Sequence, residues 1–531
     1  MLRIKTVVLE QASRRRTFAV ISHPDAGKST LTEALALHAH VIGEAGAVHG
    51  KAGRSGVTSD WMAMERERGI SVTSAALQFE YGDTVLNLLD TPGHADFSED
   101  TYRVLSAVDC AVMLLDAAKG LEPQTLKLFE VCRHRRVPII TFINKWDRPG
   151  LDALELLDEI EQRLDIRPTP VTWPVGVSGD LQGLVDRRHP DELIRFKRAP
   201  GGVAAAAEYR TPVFECTAAE VPGLPGALEE LELLRSVAAD HDRETFQAGT
   251  STPVFFGSAV SNIGVHLLLD AIVGLAPAPM PRVTRGGDSR PLAAPFSGLV
   301  FKVQANMNPA HRDRVAFVRV CSGVFERGMV LSHAATGRPF TTKFANAMFG
   351  RERTVVERAY PGDIVGLVNA GALRPGDTLY EDEPVEFPPM PTFAPEHFAA
   401  IRAKDPSGSK QFRKGMTQLE SEGVVQVLVS DRRGHQAPVL AGVGPMQFDV
   451  VLHRLEHEFN VPAVIESLPY TLARRTDQES VVRLNRQAGV EVLSRTRDGV
   501  LLALFADQWR MDRVSANAPE LMIEPLTIIA G

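Results

Sequence analysis

The sequence predicts an α/β domain with a mostly parallel sheet, followed by an antiparallel β-barrel and an α+β C-terminal domain with a split βαβ sandwich. In the first half of the chain, apolar strand patterns alternate with helical patterns. Short alternating strands separated by glycine turns then replace this pattern, and a mixture of strands and helices follows. We therefore expect domains at residues 1–280, 290–388 and 393–531.

Composition and charge place the chain among globular proteins. It has 531 residues, of which 44% are hydrophobic and 23% charged. Residues 1–17 lack the apolar core of a signal peptide and no later run approaches a membrane span, so we expect a cytoplasmic protein. A net charge of −8 argues against affinity for nucleic acid over the whole surface. We expect reduced core residues, and neither metal ligands nor disulfides, at the four isolated cysteines Cys110, Cys132, Cys216 and Cys321.

A phosphate-binding loop is predicted between the apolar run at residues 18–21 and a helical pattern that starts near residue 31. Backbone N–H groups of such a loop, together with the helix N-terminus, hold polyphosphate oxygens. Lys28 would add a full charge near the β- and γ-phosphates, and the Ser29 hydroxyl can ligate Mg²⁺. The alternative is a helix N-cap beside a surface lysine. The predicted nucleotide-binding residues of the loop are Ser22, His23, Pro24, Asp25, Ala26, Gly27, Lys28, Ser29 and Thr30.

Residues 43–59 are rich in Gly, Ala and Ser and lack helical or strand periodicity, which is typical of a segment that orders only with ligand. The alternating pattern at residues 72–81 predicts a strand, and residues 84–90 predict a second one. The short turn at Gly82 and Asp83 makes the pair a β-hairpin.

The second strand of this hairpin ends in the segment Asp90-Thr91-Pro92-Gly93-His94. We expect all five residues to bind nucleotide. A carboxylate at the end of a buried strand can hold Mg²⁺ through water, and the Gly93 amide can approach a γ-phosphate because no side chain intervenes. His94 could then orient the attacking water. The alternative is a histidine that only supports the turn.

Buried strands predicted at residues 110–116 and 137–143 continue the parallel sheet, and ligands of such sheets bind at the carboxyl ends of the strands. Guanine specificity is predicted just beyond the second strand, in Asn144-Lys145-Trp146-Asp147. The Asp147 carboxylate can accept from N1–H and the exocyclic amine of guanine, and the stem of Lys145 can cover the base. Further along, a backbone N–H in the Gly-Ser-Ala turn at Ser258 and Ala259 can contact the guanine carbonyl.

These four motifs occur in one order, and in that order the sequence resembles the translational GTPases. The strings "RGISVTSAALQFEY" and "NLLDTPGHADFSEDTYRVLSAVDC" are similar to elongation factor G and its relatives. The strings "SHPDAGKST", "TSDWMAMERERGIS", "QANMNPAHRDRVAF" and "GPMQFDVVLHRLEHEFNV" resemble the class II peptide chain release factors over nearly the whole chain.

The resemblance implies roles for particular residues. Ser71 stands where the family usually has the threonine that closes over Mg²⁺ and the γ-phosphate, so the implied Mg²⁺ set is Ser29, Ser71 and Asp90. Pro24 and Ile70 occupy the positions of an apolar gate beside His94, which implies slow hydrolysis until the ribosome displaces the gate. Trp146 departs from the smaller apolar residue that is common at its position.

The resemblance also bears on the later parts of the chain. An insertion without chemistry of its own is expected at about residues 166–250, with an acidic helix at 228–234. The β-barrel is implied to contact the small ribosomal subunit. In the last domain the pattern predicts strands at 397–402, 424–427 and 439–443 and helices at 410–422 and 446–458, whereas the segment after Gln478 is left unassigned.

The implied function is translation termination with GTP/GDP and Mg²⁺ as cofactors. Too few residues follow the third domain for the further domains of a translocase. The resemblance implies a monomer that binds ribosomal RNA and proteins after peptide release and uses GTP to promote dissociation and recycling of class I release factors. Hydrolysis of the γ-phosphoryl bond would proceed by positioning and electrostatics, without a covalent enzyme intermediate.

Two alternatives remain open from the sequence. One is another ribosome-associated GTPase, such as a ribosomal protection, biogenesis or elongation-factor-G-like protein, which would share the nucleotide site. The other is an ATP-dependent kinase or ATPase that shares only the phosphate loop.

Overall fold

The computed structural model of the chain describes residues 2–39, 76–92, 94–197, 207–237, 240–305, 314–342, 345–349, 352–368, 370–390, 394–430 and 437–526. The predictions for Ile70, Ser71 and Gly93 lie outside these residues.

The first domain is built on a seven-stranded sheet with the order β2-β3-β1-β4-β5-β11-β6 among the described residues. All neighbouring strands are parallel except β2, which pairs antiparallel with β3 as the predicted hairpin. Most of these strands are buried along nearly their full length, as expected when both faces of a parallel sheet are covered. The strands are β1 (Arg15–Ser22), β2 (Ala76–Tyr81), β3 (Thr84–Asp90), β4 (Cys110–Asp116), β5 (Ile139–Asn144), β6 (Arg167–Pro170), β7 (Thr172–Val175), β8 (Gly183–Asp186), β9 (Glu192–Lys197), β10 (Ala207–Pro212) and β11 (Ser251–Phe256).

Helices and a second sheet complete this domain. Strands β7 to β10 form a separate antiparallel sheet in the order β10-β9-β8-β7, within the predicted insertion. Strand β6, also inside the predicted range, instead joins the main sheet beside β11, and the predicted acidic helix lies within α6. Helix α1 was not predicted. The helices are α1 (Leu2–Ser13), α2 (Lys28–His38), α3 (Ser98–Leu105), α4 (Pro123–His134), α5 (Ala153–Leu164), α6 (Leu224–Ser236), α7 (Arg243–Gln247) and α8 (Val265–Leu275), with 3-10 turns at Ala95–Phe97 and Val213–Glu215.

The second domain is the predicted antiparallel, barrel-like β-structure. Its described strands follow the order β18-β17-β23-β14-β15-β22-β19-β20, with β16 and β21 paired separately and β12 and β13 paired in the preceding linker. Its apolar side chains form a core of their own around Phe296, Val318 and Leu379. The strands are β12 (Arg282–Val283), β13 (Ser289–Arg290), β14 (Ser297–Ala305), β15 (Arg314–Ser322), β16 (Phe325–Glu326), β17 (Val330–His333), β18 (Pro339–Thr341), β19 (Ala345–Phe349), β20 (Glu352–Val355), β21 (Arg358–Ala359), β22 (Ile364–Val368) and β23 (Thr378–Tyr380).

The third domain contains the predicted split βαβ sandwich. Strands β24 to β27 have the order β27-β24-β26-β25, and helices α9 and α10 supply the two crossovers. The segment after Gln478, which the sequence left unassigned, helps to extend this sheet through β29, β30, β28 and β31. The elements are β24 (His397–Ala403), a 3-10 turn (Pro406–Gly408), α9 (Ser409–Glu422), β25 (Gln426–Val429), β26 (Val439–Gly442), α10 (Met446–Phe459), β27 (Ala463–Ser467), β28 (Leu472–Thr476), α11 (Val481–Leu484), β29 (Val490–Arg495), β30 (Leu501–Phe505), α12 (Gln508–Asn517) and β31 (Glu524–Pro525).

Polar contacts join the first domain to the barrel along strand β1. The Arg15 guanidinium lies 2.8 Å from the Asp363 carboxylate, and both side chains are buried. The Thr17 hydroxyl donates to the Gly362 carbonyl at 2.7 Å. Because burying an unpaired charge is costly, these complementary partners fix how the two domains meet at this edge.

The four cysteines are free thiols, as predicted. Cys110, Cys132 and Cys321 are buried, Cys216 is half-buried, and all four are free thiols. Burial raises the pKa of Cys110 and Cys132, which makes these thiols unreactive at neutral pH.

Among the described helices, none is both long enough and apolar enough to cross a membrane.

Candidate nucleotide-binding and catalytic site

The predicted phosphate loop connects β1 to α2 at the carboxyl edge of the main sheet. Asp25 and Gly27 have φ angles of 65° and 98°, in the left-handed region. A Cβ atom at Gly27 would also clash with the side-chain amide of Asn144, which donates to the Ala26 carbonyl at 2.8 Å. Glycine is therefore required at this position both by the backbone angle and by the space available.

Lys28 begins helix α2 and points towards the end of β3. Its ammonium group lies 2.9 Å from Asp90 Oδ1 and also donates to the Thr91 carbonyl. Both Lys28 and Asp90 are buried. The second carboxylate oxygen, Asp90 Oδ2, is buried without a hydrogen-bond partner among the described residues. An unsatisfied carboxylate oxygen next to a phosphate loop suits a hydrated Mg²⁺, so this residue fits the predicted metal site.

His94 is held through its Nδ1 atom. Asp96 Oδ1 lies 3.2 Å from Nδ1, and the Asp96 backbone N–H donates to the same atom at 3.3 Å. The ring also meets Phe97 edge-on at 6.3 Å between centroids. These contacts define the orientation of the ring and leave Nε2 on the side away from Asp96, and the role of His94 in orienting water stays a prediction.

The segment predicted to recognise guanine, Asn144-Lys145-Trp146-Asp147 (the base-recognition loop), is tied to the phosphate loop through Lys145. Its ammonium group donates to the Asp25 carbonyl at 2.5 Å and lies 2.7 Å from Asp116 Oδ2. Asp116, at the end of β4, was not singled out in the sequence. Burial alone would raise its pKa, but the hydrogen bonds from Lys145 and the Ala118 amide lower the pKa below its usual value. The ionised Asp116 carboxylate therefore forms an ion pair that holds the Lys145 ammonium group in place.

Asp147, the predicted guanine acceptor, presents a buried carboxylate oxygen just beyond the end of β5. Its Oδ1 atom is buried and has no hydrogen-bond partner among the described residues. A buried acceptor without a partner costs free energy, and a ligand with paired N–H donors would satisfy it. This is the chemical property that distinguishes guanine from adenine at this position.

Three other residues predicted to bind nucleotide contact other parts of the protein. They are Trp146, Ser258 and Ala259. Trp146 is 1% exposed and packs edge-on against Phe256 at 5.0 Å, so its side chain supports the loop from behind. The Ser258 amide donates to the Ile263 carbonyl at 3.0 Å, and the Ala259 amide donates to Asn144 Oδ1 at 2.8 Å. For a backbone N–H of this turn to donate to the guanine carbonyl, it would have to give up one of these two hydrogen bonds.

His23 contacts the residue that precedes helix α4. Its Nδ1 atom lies 2.5 Å from Glu122 Oε2, just before helix α4. Burial lowers the pKa of His23 more than Glu122 raises it, which favours the neutral imidazole at neutral pH. The side chain therefore braces the phosphate loop against α4, and the sequence carried no signal for the part played by Glu122.

Three protein families match successive parts of the chain. The elongation factor Tu GTP binding domain matches residues 13–278, elongation factor G domain 2 matches residues 295–382, and the class II release factor RF3, C-terminal domain, matches residues 387–515. With the geometry above, these matches define a translational GTPase, a protein that binds guanine nucleotide and hydrolyses GTP. The ATP-dependent alternative is thereby set aside.

Full-length relatives give the particular family. Peptide chain release factor 3 of Gloeobacter violaceus is 48% identical over 97% of this chain and 98% of its own length. The proteins of the same name from Synechococcus elongatus and Symbiobacterium thermophilum are each 46% identical, over 99% and 97% of this chain and 95% and 98% of their own lengths. The chain belongs to the peptide chain release factor 3 family and is a translation termination GTPase, as the sequence resemblance indicated.

A crystal structure of a Thermus thermophilus protein has the same fold over most of the chain. It superposes with a TM-score of 0.69 at 23% identity and covers 87% of this chain and 68% of that chain. This similarity confirms the predicted order of an α/β domain, a β-barrel and an α+β domain.

Proposed function

We propose that this protein binds the ribosome after peptide release and uses GTP to promote dissociation and recycling of class I release factors. Membership of the peptide chain release factor 3 family supports the termination role. The observation that carries the proposal is that helix α3, which follows His94, contacts both later domains. Lys302 of the barrel lies 3.5 Å from Asp100, and Arg103 donates to the Gly423 carbonyl of the third domain at 3.2 Å. Helix α3 therefore connects the segment that contains His94 to the two domains that would contact the ribosome.

The phosphate-binding step would use groups already arranged in the chain. The amides of the phosphate loop and the N-terminus of α2 hold the phosphate oxygens. Lys28 exchanges its bond to Asp90 for the β- and γ-phosphates, which frees the Asp90 carboxylate. Ser29, Ser71 and Asp90 would hold Mg²⁺, which when bound neutralises charge on the β- and γ-phosphate oxygens.

The hydrolytic step would depend on His94 and the Gly93 amide. His94 orients a water molecule whose oxygen attacks the γ-phosphorus, while the bond to the bridging oxygen breaks and GDP leaves. Pro24 and Ile70 would keep His94 from this position until the ribosome displaces them. Stimulation by ribosomes follows from this arrangement.

We also propose how the chain is divided into domains and where the protein acts. Residues 1–280 form the nucleotide-binding domain, with an insertion at about 166–250, and residues 290–388 and 393–531 form the ribosome-facing domains. The protein acts as a monomer in the cytoplasm, and its partners are ribosomal RNA and proteins and class I release factors.

The decisive experiment follows a labelled class I factor on ribosomes after peptide release. Addition of this protein with GTP should shorten the residence time of the label by about tenfold or more, a gain comparable to other effector-driven changes in affinity. Asp147→Asn should lose this effect with GTP and regain it with xanthosine triphosphate, which offers the complementary donor and acceptor pattern. A residence time that is unchanged by protein and GTP would refute the proposal.

A further inference from the structure

A cleft lined by several basic side chains lies between the first domain and the β-barrel. Its volume is about 340 Å³. Three arginines from separate parts of the chain line it. Arg135 follows helix α4, Arg282 lies in the linker strand β12, and Arg319 lies in β15. Among the described residues that line the cleft, Asp109 is the one acidic side chain.

Arg319 already has its counter-charge in Asp109. One Arg319 Nη atom lies 2.8 and 2.7 Å from the two carboxylate oxygens, and the other donates to the Ala107 carbonyl. Arg319 is 4% exposed. This buried pair is satisfied by charge and by hydrogen bonds, so Asp109 has little capacity left to neutralise a second guanidinium.

Arg135 and Arg282 have weaker partners. Arg282 donates to the Ser106 carbonyl at 2.6 Å and lies over the Phe387 ring at 5.6 Å, and Arg135 lies over the Tyr102 ring at 5.6 Å. No carboxylate of the described residues lies within ion-pair distance of either side chain. Burial lowers the pKa of Arg282 most strongly, and the neighbouring Arg319 and Arg135 cations act in the same direction, whereas Cys321 and Asp109 act against them. Both side chains are half-buried, and carbonyl groups and aromatic faces compensate such cations only in part.

We propose that this cleft binds a small phosphate-bearing anion between Arg135 and Arg282. Guanidinium groups bind phosphate oxygens through parallel, charge-assisted hydrogen bonds, and an anion would supply the charge that the protein lacks here. The volume is within the range of small-molecule sites. None of the residues that line the cleft belongs to the phosphate loop or the base-recognition loop, so the site is separate from the GTP site. Its ligand would touch the first domain, the linker and the barrel at once.

The test titrates sodium pyrophosphate into protein saturated with GDP, with isothermal calorimetry as the readout. One anion should bind per chain. Arg135→Gln and Arg282→Gln should each weaken binding by about tenfold or more, because each removes a charge-assisted partner. The matched control is Arg133→Gln, which removes the same charge two residues before Arg135, in the last turn of helix α4. Arg133 lies outside the cleft, pairs with Asp165 at 3.3 Å and has 58% of its side chain exposed, so this variant should bind pyrophosphate normally.

Several results would overturn the inference. They are the absence of binding at millimolar pyrophosphate, equal weakening in all three variants, and loss of binding when the GDP concentration is raised. Displacement of pyrophosphate by a single-stranded RNA that binds more tightly would instead make the cleft a nucleic-acid contact. Arg135→Gln keeps the experiment decisive even if Arg282→Gln fails to fold, because the Arg135 side chain is half-buried and packs over the Tyr102 ring.

Discussion

Asp96 of the nucleotide-binding domain accepts a hydrogen bond from the backbone N–H of Met446 at 2.7 Å, across a separation of 350 residues. Met446 opens helix α10, whose N-cap residue Pro445 offers no side-chain cap. Asp96 therefore supplies the carboxylate that the helix N-terminus lacks, and its other oxygen lies beside His94. The orientation of the predicted catalytic histidine is thus linked to the position of the third domain.

Asp96→Ala should lower the free energy of unfolding by about 1–2 kcal/mol, the usual effect of losing a helix cap. Gly444→Ala should have a similar effect because its Cβ would overlap the Asp96 carboxylate. Urea unfolding measures both. Glu456→Ala is the control, since this exposed acid lies near the other end of the same helix. Equal stability of Asp96→Ala and the wild type would show that the contact contributes nothing.

His94→Ala should retain GTP affinity but lose most ribosome-stimulated hydrolysis, roughly 10²-fold or more, as expected when a group that positions water is removed. Calorimetry gives the affinity, and phosphate release on ribosomes gives the rate. His189→Ala, an exposed histidine in a turn of the insertion, should behave as wild type. Unchanged turnover in His94→Ala would exclude the proposed role.

Asp147→Asn should weaken GTP binding by about 10- to 100-fold and favour xanthosine nucleotides, because an amide cannot accept from both guanine donors. Binding of the two nucleotides by calorimetry is the measurement. Asp165→Asn makes the same change at an exposed residue with φ 52°, a conformation that asparagine tolerates well. If Asp147→Asn bound GTP as tightly as this control does, the guanine assignment would be wrong.

Asp116→Asn should destabilise the protein by about 1–3 kcal/mol at pH 7, since it removes a charged partner of Lys145. The Asp116 pKa is lowered in the folded state, so its stabilising effect is present above the unfolded pKa of about 3.9. The effect is lost as the pH falls through the lower, folded pKa. The difference between variant and wild type should therefore stay constant from pH 8 to pH 5 and narrow only below about pH 4. Urea unfolding across this range tests it, and a difference that narrows near pH 6 would contradict it.

Much of the fold followed from local patterns, and the exceptions have physical causes. The hairpin of β2 and β3 and the split βαβ sandwich were predicted because alternation and turn residues act over short stretches. Helix α1 was not predicted, and the strands after Gln478 were left unassigned; β28 pairs there with β30 and β31, which lie far along the chain, and such pairing is not visible in a short local pattern. The predictions for Ser71 and Gly93 fall outside the described residues, and their roles stay predictions.

The residues of the candidate site also fall into two groups, those that a motif pointed to and those that only the structure brings to the site. Lys28, Asp90 and Asp147 lie at or near the carboxyl ends of strands of the main sheet, and their roles in nucleotide binding stay predictions. Trp146 belongs to the core beneath the loop because a large apolar ring gains more from burial against Phe256 than from exposure beside a ligand. Asp116 and Glu122 could not be found by motif, since each acts on a residue far away along the chain.

The sequence alone determined the order of strand, phosphate loop and helix, and it predicts which residues read the base, because these patterns depend on neighbours in the chain. Only the tertiary structure decided that Asp96 caps a helix of the third domain and that three separated arginines share one cleft. These contacts join residues of different domains. They depend on how the folded domains pack against one another, which no local pattern in the chain can specify.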